Sequence, residues 1–544
     1  MASPWTNLRR RLVPLALAAV AALTVPPGAT AATGDATEFA RDIAPGAAPT
    51  SITAGPDGNL WFTEAGTDRI GRVTPTGVVT EFSIGISAGA QPVGITNGPD
   101  GNLWFTEFAG NRIGRITPSG VVTEFSAGIH GTGLHGITAG ADGNLWFTES
   151  GPTQNAIGRI TPGGVVTEFV YDLGAATQPL GIASGLDGTI WFVEGTGNRI
   201  VQLGTSGTVL QTIAAITPTA GLTGIAVSRD GSIWFTETAA SRIGRISVDG
   251  AVTEASIAGP SQAPTTITAG SDGALWVAEH GPTGRGSSLL RVSMTGAMVE
   301  FGNGISSGAG VAGVAAGPDG NVWFTERQGD RIGRLLSGVV PTSAAAPAVM
   351  GAIELGSTLT ATTGTWRFLP TLYQYSWQRC TTAAATDCTT VAGQTHDTYL
   401  LTSADQGTYL RALVTASNLN GAGAATATAT TSQVPTSLFT ITKPKVRYLA
   451  RSVVLTSVIT VSWVGQIVQR ASSYAGSRMT RRCRVARLSP AADAYALRCR
   501  LLGPARNLLR ARALRLTIAT SFTATGGPTV TTTQPLTIPK RRRP

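Results

Sequence analysis

The chain has 544 residues, of which 42% are hydrophobic and 13% are charged, and its formal net charge at pH 7 is +10. This length and composition exclude an intrinsically disordered polymer and allow several folded domains. The positive charge is uneven: 20 of the 41 Lys and Arg residues lie from Phe439 onward with a single acid, Asp493, which leaves 21 basic and 30 acidic residues before Phe439.

The first 31 residues have the three parts of a secretory signal peptide. Arg9-Arg10-Arg11 precedes an apolar run from Leu12 to Val25, and Ala29-Thr30-Ala31 follows as a small-residue cleavage site. No later stretch reaches the roughly 20 apolar residues that a membrane span requires. We therefore expect a secreted protein, extracellular or associated with the cell envelope, with no transmembrane segment in the mature chain. The Arg residues leave twin-arginine export open beside an ordinary signal peptide.

Residues 36–340 contain one unit repeated seven times. Its core is Gly55-Pro56-Asp57-Gly58-Asn59-Leu60-Trp61-Phe62-Thr63-Glu64, and its tryptophan recurs every 42 to 47 residues. The seven are Trp61, Trp104, Trp146, Trp191, Trp234, Trp276 and Trp323. Each unit has four short β-like pieces, which in the second unit are Val93–Thr96, Leu103–Glu107, Arg112–Thr117 and Val121–Phe125. Strands, tight turns and this period predict an all-β, seven-bladed β-propeller.

The two ends of the repeat region indicate how the ring closes. The last unit lacks the Thr-Glu-Phe ending that other units carry, for example at Thr123–Phe125, and the missing piece stands before the first unit as Thr37-Glu38-Phe39. We expect this N-terminal strand to complete the last blade, because such closure removes a free sheet edge.

The tandem motif, with Asn-Arg-Ile-Gly-Arg-Ile-Thr-Pro and Val-Val-Thr-Glu-Phe after the Trp segment, resembles the streptogramin B lyase (virginiamycin B lyase) family from about Thr37 to Val340. The resemblance implies a seven-bladed propeller with its site at one mouth of the central channel. It also implies a carbon–oxygen lyase that opens a cyclic depsipeptide by elimination, with Mg²⁺ held by glutamates and a His as base.

Residues present in every blade are expected to be structural, because one catalytic role cannot be shared by seven equivalent groups. The most informative departure is the position just before Gly-Ile-Thr at the start of each unit, here called the slot. The slot residues are Thr50, Val93, His135, Leu180, Thr223, Thr265 and Ala312. The family has a His there in two successive blades, whereas only His135 matches here. It also has a metal-binding Glu two residues before the second His, where this chain has Gly133.

His135 is therefore either a surviving base or a polar residue of an inert channel. By the same resemblance Glu149 could be a metal ligand, although every blade has its equivalent. His130 could add a second imidazole or be a solvated loop residue. His280 and Arg285, in a longer loop of the sixth unit, could bind a ligand or reflect drift of one repeat.

After the ring, residues 341–347 are predicted to be a linker and 348–435 an Ig-like module. The module is suggested by alternating strands around Trp377 and by Asp405-Gln406-Gly407-Thr408-Tyr409, which resembles a tyrosine corner. Residues 439–539 are predicted to form a basic β-rich domain, followed by a basic tail, 540–544. Four cysteines in an exported chain predict two local disulfides, Cys380 with Cys388 and Cys483 with Cys499.

Two functions remain open. One is a non-catalytic extracellular binding protein, monomeric, with an unidentified ligand at the channel mouth and with its basic domain on an anionic polymer of the envelope. The scarcity of aromatic residues in that domain disfavours nucleic acid as its partner. The other is the Mg²⁺-dependent lyase. Mg²⁺ is expected as a cofactor only if the protein has this second function.

Overall fold

The computed structural model describes residues 33–151, 155–170, 177–258, 263–280, 287–436, 439–449, 452–461, 465–475, 478–490, 493–501, 513–524 and 529–539. In these ranges the fold is all-β, and the one helical element is a 3-10 turn, η1 (Ser403–Asp405). No helix of the described part is long and apolar enough to cross a membrane.

Seven four-stranded antiparallel sheets form the blades of a ring, which confirms the predicted propeller. The first strand of the described residues is β1 (Ala36–Phe39). Blade 1 is β2 (Pro49–Ala54), β3 (Leu60–Glu64), β4 (Arg69–Val73) and β5 (Val79–Phe82). Blade 2 is β6 (Pro92–Asn97), β7 (Leu103–Glu107), β8 (Arg112–Ile116) and β9 (Val122–Phe125). Blade 3 is β10 (Leu134–Ala139), β11 (Leu145–Ser150), β12 (Asn155–Ile160) and β13 (Val166–Phe169).

The other blades repeat this order. Blade 4 is β14 (Pro179–Ser184), β15 (Ile190–Glu194), β16 (Arg199–Leu203) and β17 (Val209–Ile213). Blade 5 is β18 (Leu222–Val227), β19 (Ile233–Glu237), β20 (Arg242–Ile246) and β21 (Val252–Ser256). Blade 6 is β22 (Ala263–Ala269), β23 (Leu275–His280), β24 (Ser288–Val292) and β25 (Met298–Phe301). Blade 7 is β26 (Val311–Ala316), β27 (Val322–Glu326) and β28 (Arg331–Leu335), completed by β1.

The predicted closure of the ring is confirmed. Strand β1 pairs antiparallel with β28, with Thr37 opposite Arg334 and Phe39 opposite Ile332. The Phe39 ring stacks on Trp323 at 5.6 Å, as the equivalent Phe and Trp do within other blades. The Glu38 carboxylate accepts a hydrogen bond from Arg331 Nη1 at 2.8 Å. The N-terminal strand therefore makes the contacts of an ordinary outer strand.

The recurring residues build the blades and join them. In blade 1 the Trp61 indole donates to Asp57 Oδ1 at 3.0 Å, and the Arg72 guanidinium lies 5.6 Å from the Trp61 ring centroid. Arg72 Nη1 also donates to the carbonyl oxygen of Pro118 in blade 2. Gly71 is required because a Cβ there would be 2.0 Å from the Phe62 ring. These contacts agree with the structural role expected for the repeated residues.

Residues 342–427 form three antiparallel sheets. The strands are β29 (Thr342–Ala345), β30 (Val349–Met350), β31 (Thr358–Ala361), β32 (Thr365–Arg367), β33 (Leu372–Cys380), β34 (Cys388–Thr390), β35 (Thr398–Leu400), β36 (Tyr409–Asn418), β37 (Gly421–Ala422) and β38 (Thr426–Ala427). The segment 341–347 differs from the expected linker, because β29 pairs with β32 and so belongs to this domain's sheets. The Ig-like assignment stays a prediction.

The turn after β36 contacts the ring. Asn418 Nδ2 donates to the carbonyl oxygen of Val339 at 3.1 Å, and Asn420 Nδ2 donates to Asn321 Oδ1 at 2.8 Å. Asn321 lies in the hairpin between β26 and β27, at the far end of β26 from the slot residue Ala312. The second domain therefore contacts the ring away from the slot.

The C-terminal domain has two sheets. The first contains β39 (Phe439–Ile441), β40 (Lys445–Leu449), β41 (Ser452–Val461) and β44 (Asp493–Arg500), and the second contains β42 (Gly465–Ala475), β43 (Arg478–Ser489), β45 (Leu514–Ala524) and β46 (Thr529–Ile538). Both predicted disulfides, Cys380–Cys388 and Cys483–Cys499, are present. The tail, 540–544, lies outside the described residues.

Candidate functional site

A cavity of about 620 Å³ lies at one mouth of the channel, on the side where the first strand of each blade begins. All seven slot residues line it, and so do His280, Arg327 and Gln328. Because each blade contributes, the cavity surrounds the ring axis. Its volume is within the usual range for small-molecule sites. This cavity is called the mouth below.

A β-bulge points the slot side chains into the mouth. In blade 3, Leu134 is opposite Glu149 and Ile137 is opposite Phe147, so that the two intervening residues of β10 oppose one residue of β11. The same register shift occurs at the start of the first strand in every blade. A bulge leaves its extra residue out of the ladder and changes the direction of the side chain. The fold thereby frees one residue per blade from strand pairing.

Threonine hydroxyls fix the backbone around His135. Thr106 Oγ1 of blade 2 donates to the His135 carbonyl oxygen at 2.6 Å, and the next amide, Gly136 N–H, donates to Thr148 Oγ1 at 2.9 Å. Thr148 Oγ1 then donates to the carbonyl oxygen of Leu180 in blade 4. The position of His135 is thus set by scaffold contacts on both sides.

The His135 imidazole is half-buried and packs edge-on against Phe108, with ring centroids 5.0 Å apart. Burial lowers the pKa of His135 below its ordinary value, because the imidazolium loses hydration. The ring is therefore neutral around pH 7, where it can accept a proton or a hydrogen bond. It has the protonation state of a base, which agrees with either interpretation from the sequence.

A second ring of positions also reaches the mouth, and sequence reasoning missed most of it. The residue directly after the recurring Glu is different in each blade, and Thr238, His280 and Arg327 at this position line the mouth. Variation at one position of an otherwise regular repeat is a signal that the sequence contained. Of the three residues only His280 was predicted, and it was found from the longer loop of the sixth unit.

The wall of the mouth differs in chemistry around the ring. Blades 2 and 4 contribute the aliphatic Val93 and Leu180, and blade 3 contributes His135 between them. Blades 5 to 7 and blade 1 contribute polar side chains: Thr50, Ser51, Thr223, Thr238, Thr265, Thr266, His280, Arg327 and Gln328. The Arg327 side chain is exposed and His280 is half-buried. Blades 6 and 7 also contribute Ala263, the buried Val311 and Ala312. The polar side chains, with one fixed positive charge, are thus concentrated on blades 5 to 7 and blade 1, and the larger accessible aliphatic side chains are Val93 and Leu180.

His130, another predicted site residue, does not reach the mouth. It is exposed, its Nδ1 is 3.0 Å from Glu168 Oε2, and its backbone N–H donates to Glu168 Oε1. This contact fits the solvated loop interpretation. Arg285 lies outside the described residues.

Glu149 is fully buried inside blade 3 and does not line the mouth. Burial and the charge of Glu168 raise its pKa to about 8, because both disfavour the carboxylate. Equivalent pairs of carboxyl groups occur in five other blades, and the pKa of the inner Glu is raised to about 7 or about 8 in each. Blade 3 differs from blade 2 in the residue opposite the inner Glu. Ala156 is opposite Glu149, whereas Arg112 is opposite Glu107.

The residues at the mouth do not fit Mg²⁺. This ion prefers oxygen ligands, chiefly carboxylates and water, and no Asp or Glu lines the mouth within the described ranges. Nor do the described residues include three His, Cys, Asp or Glu side chains placed to hold a metal. Glu149, the ligand implied by the sequence resemblance, faces Glu168 in its own blade instead.

The comparisons agree with this fold. The Virginiamycin B lyase family model matches residues 27–280 and 176–354. A streptogramin B lyase structure is 30% identical, covering 55% of this chain and 96% of that chain, with a TM-score of 0.50. A catalytically inactive virginiamycin B lyase from Staphylococcus aureus with quinupristin is 32% identical, covering 56% of this chain and 99% of that chain, with a TM-score of 0.50. No match was found among curated proteins.

Proposed function

We propose, on the premise that this chain belongs to the virginiamycin B lyase family, that it is a secreted binding protein without lyase activity, whose mouth holds an amphipathic ligand. The observation that carries this proposal is the composition of the mouth, which has hydroxyl, imidazole, guanidinium and aliphatic groups but no carboxylate among the described residues. Elimination needs a base and a group that stabilises negative charge on the carbonyl oxygen. His135 could supply the base, but the described residues offer no ligand set for the metal that supplies the second function in the family.

The distribution of side chains around the wall defines the ligand chemistry. An apolar group, for example an aromatic ring, would lie against Val93 and Leu180. Hydrogen-bond acceptors or an anionic group would lie against the threonines and Arg327. Because Arg327 forms no ion pair with any described residue, its charge is available for a ligand. The preferred ligand is therefore a small molecule with one apolar end and one acceptor-rich or anionic end.

A pair of fluorescent probes tests this chemistry. 8-Anilinonaphthalene-1-sulfonate is an amphipathic anion, and N-phenyl-1-naphthylamine is its uncharged analogue. We expect both to bind the full chain, and we expect Arg327→Gln to weaken binding of the sulfonate about 5- to 10-fold, which corresponds to about 1 to 1.4 kcal/mol. Binding of the uncharged probe should change less than twofold.

Arg229→Gln is the matched control, since Arg229 lies in the hairpin between β18 and β19, away from the mouth. Leu180→Ser should weaken both probes, because it removes one of the two larger aliphatic side chains of the mouth. Equal effects of Arg327→Gln and Arg229→Gln on the sulfonate would contradict the proposed site.

The lyase remains a second candidate, because His135 lines the mouth and its pKa is lowered, so that it is an available base. Incubation with a type B streptogramin and Mg²⁺, followed by mass spectrometry and chromatography, tests this directly. Elimination would give a ring-opened isomer of unchanged mass, and His135→Ala should abolish it. Binding of quinupristin without an isomeric product supports the binding protein instead.

We propose further that the basic C-terminal domain holds the protein at the cell envelope. Its support is the concentration of cations from Phe439 onward against one acid. Retention of the full chain on isolated cell-wall material should fall with added salt and should be lost when the chain ends before Phe439. Salt-independent retention by the shortened chain would contradict this part of the proposal.

A further inference from the structure

The first sheet of the C-terminal domain has one buried face and one solvent face. Along β41, Val453, Leu455 and Ile459 are buried, whereas the alternating residues Val454, Thr456 and Val458 are not. The same alternation in β44 buries Leu497 and Cys499 and exposes Arg498 and Arg500. The register of the strands therefore determines which cations share the solvent face.

Four cations lie on that face, on both sides of β41. In one row, Lys445 of β40 and Arg498 of β44 are both paired with Thr456. In the adjacent row, Arg447 and Arg500 are both paired with Val454. All four side chains are exposed. With strands about 4.8 Å apart and about 3.4 Å per residue, the backbone positions form a rectangle of about 10 by 7 Å. We call this group the cation rectangle.

No carboxylate neutralises the cation rectangle. Asp493 is the only acid from Phe439 onward. It is opposite Val461 and lies five residues before Arg498 in β44, which is about 17 Å along the strand. Among the described residues none of the four cations is in an ion pair. Four like charges this close repel one another, so an anion placed over them is attracted by all four.

We infer that the cation rectangle is the polymer-binding face of this protein. Its ligand is a linear polymer in which each repeat unit carries one phosphate or carboxylate and no other charge. This inference rests on the proposed role of the basic domain at the envelope. Two rows of cations along adjacent positions can contact successive anionic groups of one extended chain. Three of the four are Arg, whose planar guanidinium forms paired hydrogen bonds to either oxyanion.

The face does not suit a nucleic acid. Single-stranded nucleic acids are held by aromatic side chains on which the bases stack. Between the cations lie the half-buried Val454 and Thr456, and further along the same face lie the exposed Val458, Ala494 and Ala496; none of these is aromatic. A polymer recognised only by its anionic groups needs no such stacking.

Two triple variants of the full chain with equal loss of charge test the inference. The first is Arg447→Gln, Arg498→Gln and Arg500→Gln, within the rectangle. The second is Arg470→Gln, Arg484→Gln and Arg515→Gln; these residues are exposed on the other sheet, where Arg470 is opposite Arg484. Binding of poly(glycerol phosphate) and of polygalacturonate is measured by calorimetry from 50 to 300 mM NaCl, with a single-stranded oligonucleotide of equal charge as comparison.

We expect the first variant to raise the Kd for at least one polymer tenfold or more at 50 mM NaCl and to lower the slope of log K against log salt by about two. The second variant should change the Kd less than threefold. The polymer that responds identifies the oxyanion. Equal losses in both variants, or tighter binding of the oligonucleotide than of either polymer, would overturn the inference. Failure of the wild-type chain to bind cell-wall material at all would instead overturn the proposed envelope role.

Discussion

Replacing Glu149 with Gln separates a structural carboxyl group from a metal ligand. Glu149 is fully buried beside Glu168. The backbone at Gly131 lies so close to it that a Cβ there would be 1.9 Å from Glu149 Oε2. Gln has the size of Glu and remains neutral, so Glu149→Gln resembles the protonated side chain at every pH. If the group is structural, the variant should be the more stable protein at high pH.

The magnitude follows from the pKa. Burial and Glu168 raise the pKa of Glu149 from 4.5 to about 8. Because the folded-state pKa is above the unfolded value, the stability that the group contributes is complete below pH 4.5 and is lost as pH rises toward 8. At about 1.4 kcal/mol per pKa unit, Glu149→Gln should gain about 2 to 4 kcal/mol over the wild type at pH 8 and little at pH 4.5. For a ring of this size the gain corresponds to an increase in Tm of about 4 to 8 °C.

The assay is thermal unfolding of both full chains from pH 4.5 to 9, with and without Mg²⁺. Glu194→Gln is the matched control, because blade 4 has no second Glu and Glu194 accepts a hydrogen bond from Arg199 Nε at 2.6 Å. Burial raises the pKa of Glu194 as well, but Arg199 opposes that shift, so Glu194→Gln should gain less stability at pH 8 than Glu149→Gln. A lower Tm for Glu149→Gln at pH 8 would refute the structural interpretation. So would a Mg²⁺-dependent stabilisation that the variant loses.

Three other perturbations test the fold. Deleting residues 33–39 should lower the Tm by more than about 5 °C, because it exposes the edge of blade 7 and removes a buried ring stack; an unchanged Tm would show that β1 does not hold the ring closed. Replacing Cys483 and Cys499 with Ala should cost the C-terminal domain about 3 kcal/mol in urea unfolding, since a loop of this length is no longer closed in the unfolded chain; a loss below 1 kcal/mol would contradict that account. Asp100→Ala should cost about 1 to 2 kcal/mol, because the buried Trp104 indole N–H loses its acceptor; a neutral effect in the same assay would mean that water replaces the carboxylate.

Local pattern was sufficient for the fold of the ring because the repeat provides the same information seven times. The second unit predicted strands at Val93–Thr96 and Leu103–Glu107, and the structure has them at Pro92–Asn97 and Leu103–Glu107. Thr37-Glu38-Phe39 indicated closure for the same reason, because a piece missing from one unit was recognisable at the other end of the chain. The disulfides followed from short spacing, because each cysteine has one near neighbour in sequence with which it can pair.

The site was predictable only in part. The slot could be identified because it is a fixed position of the unit, and the bulge at each first strand points it into the mouth. The raised pKa of Glu149 could not be predicted, because its neighbour Glu168 is on a strand two places away in the blade. The strand segment 342–345 was missed because its short polar and alanine residues form β29 only by pairing with β32.

The amino-acid sequence by itself determined the blade count, the closure and the cysteine pairs, because these depend on periodicity and on contacts between neighbouring segments. Only the tertiary structure decided that Val93 and Leu180 line the same mouth as Arg327. It also decided that four cations from β40 and β44 share one face of a sheet. In both places the residues come from separate segments, and only ring closure and strand register bring them together.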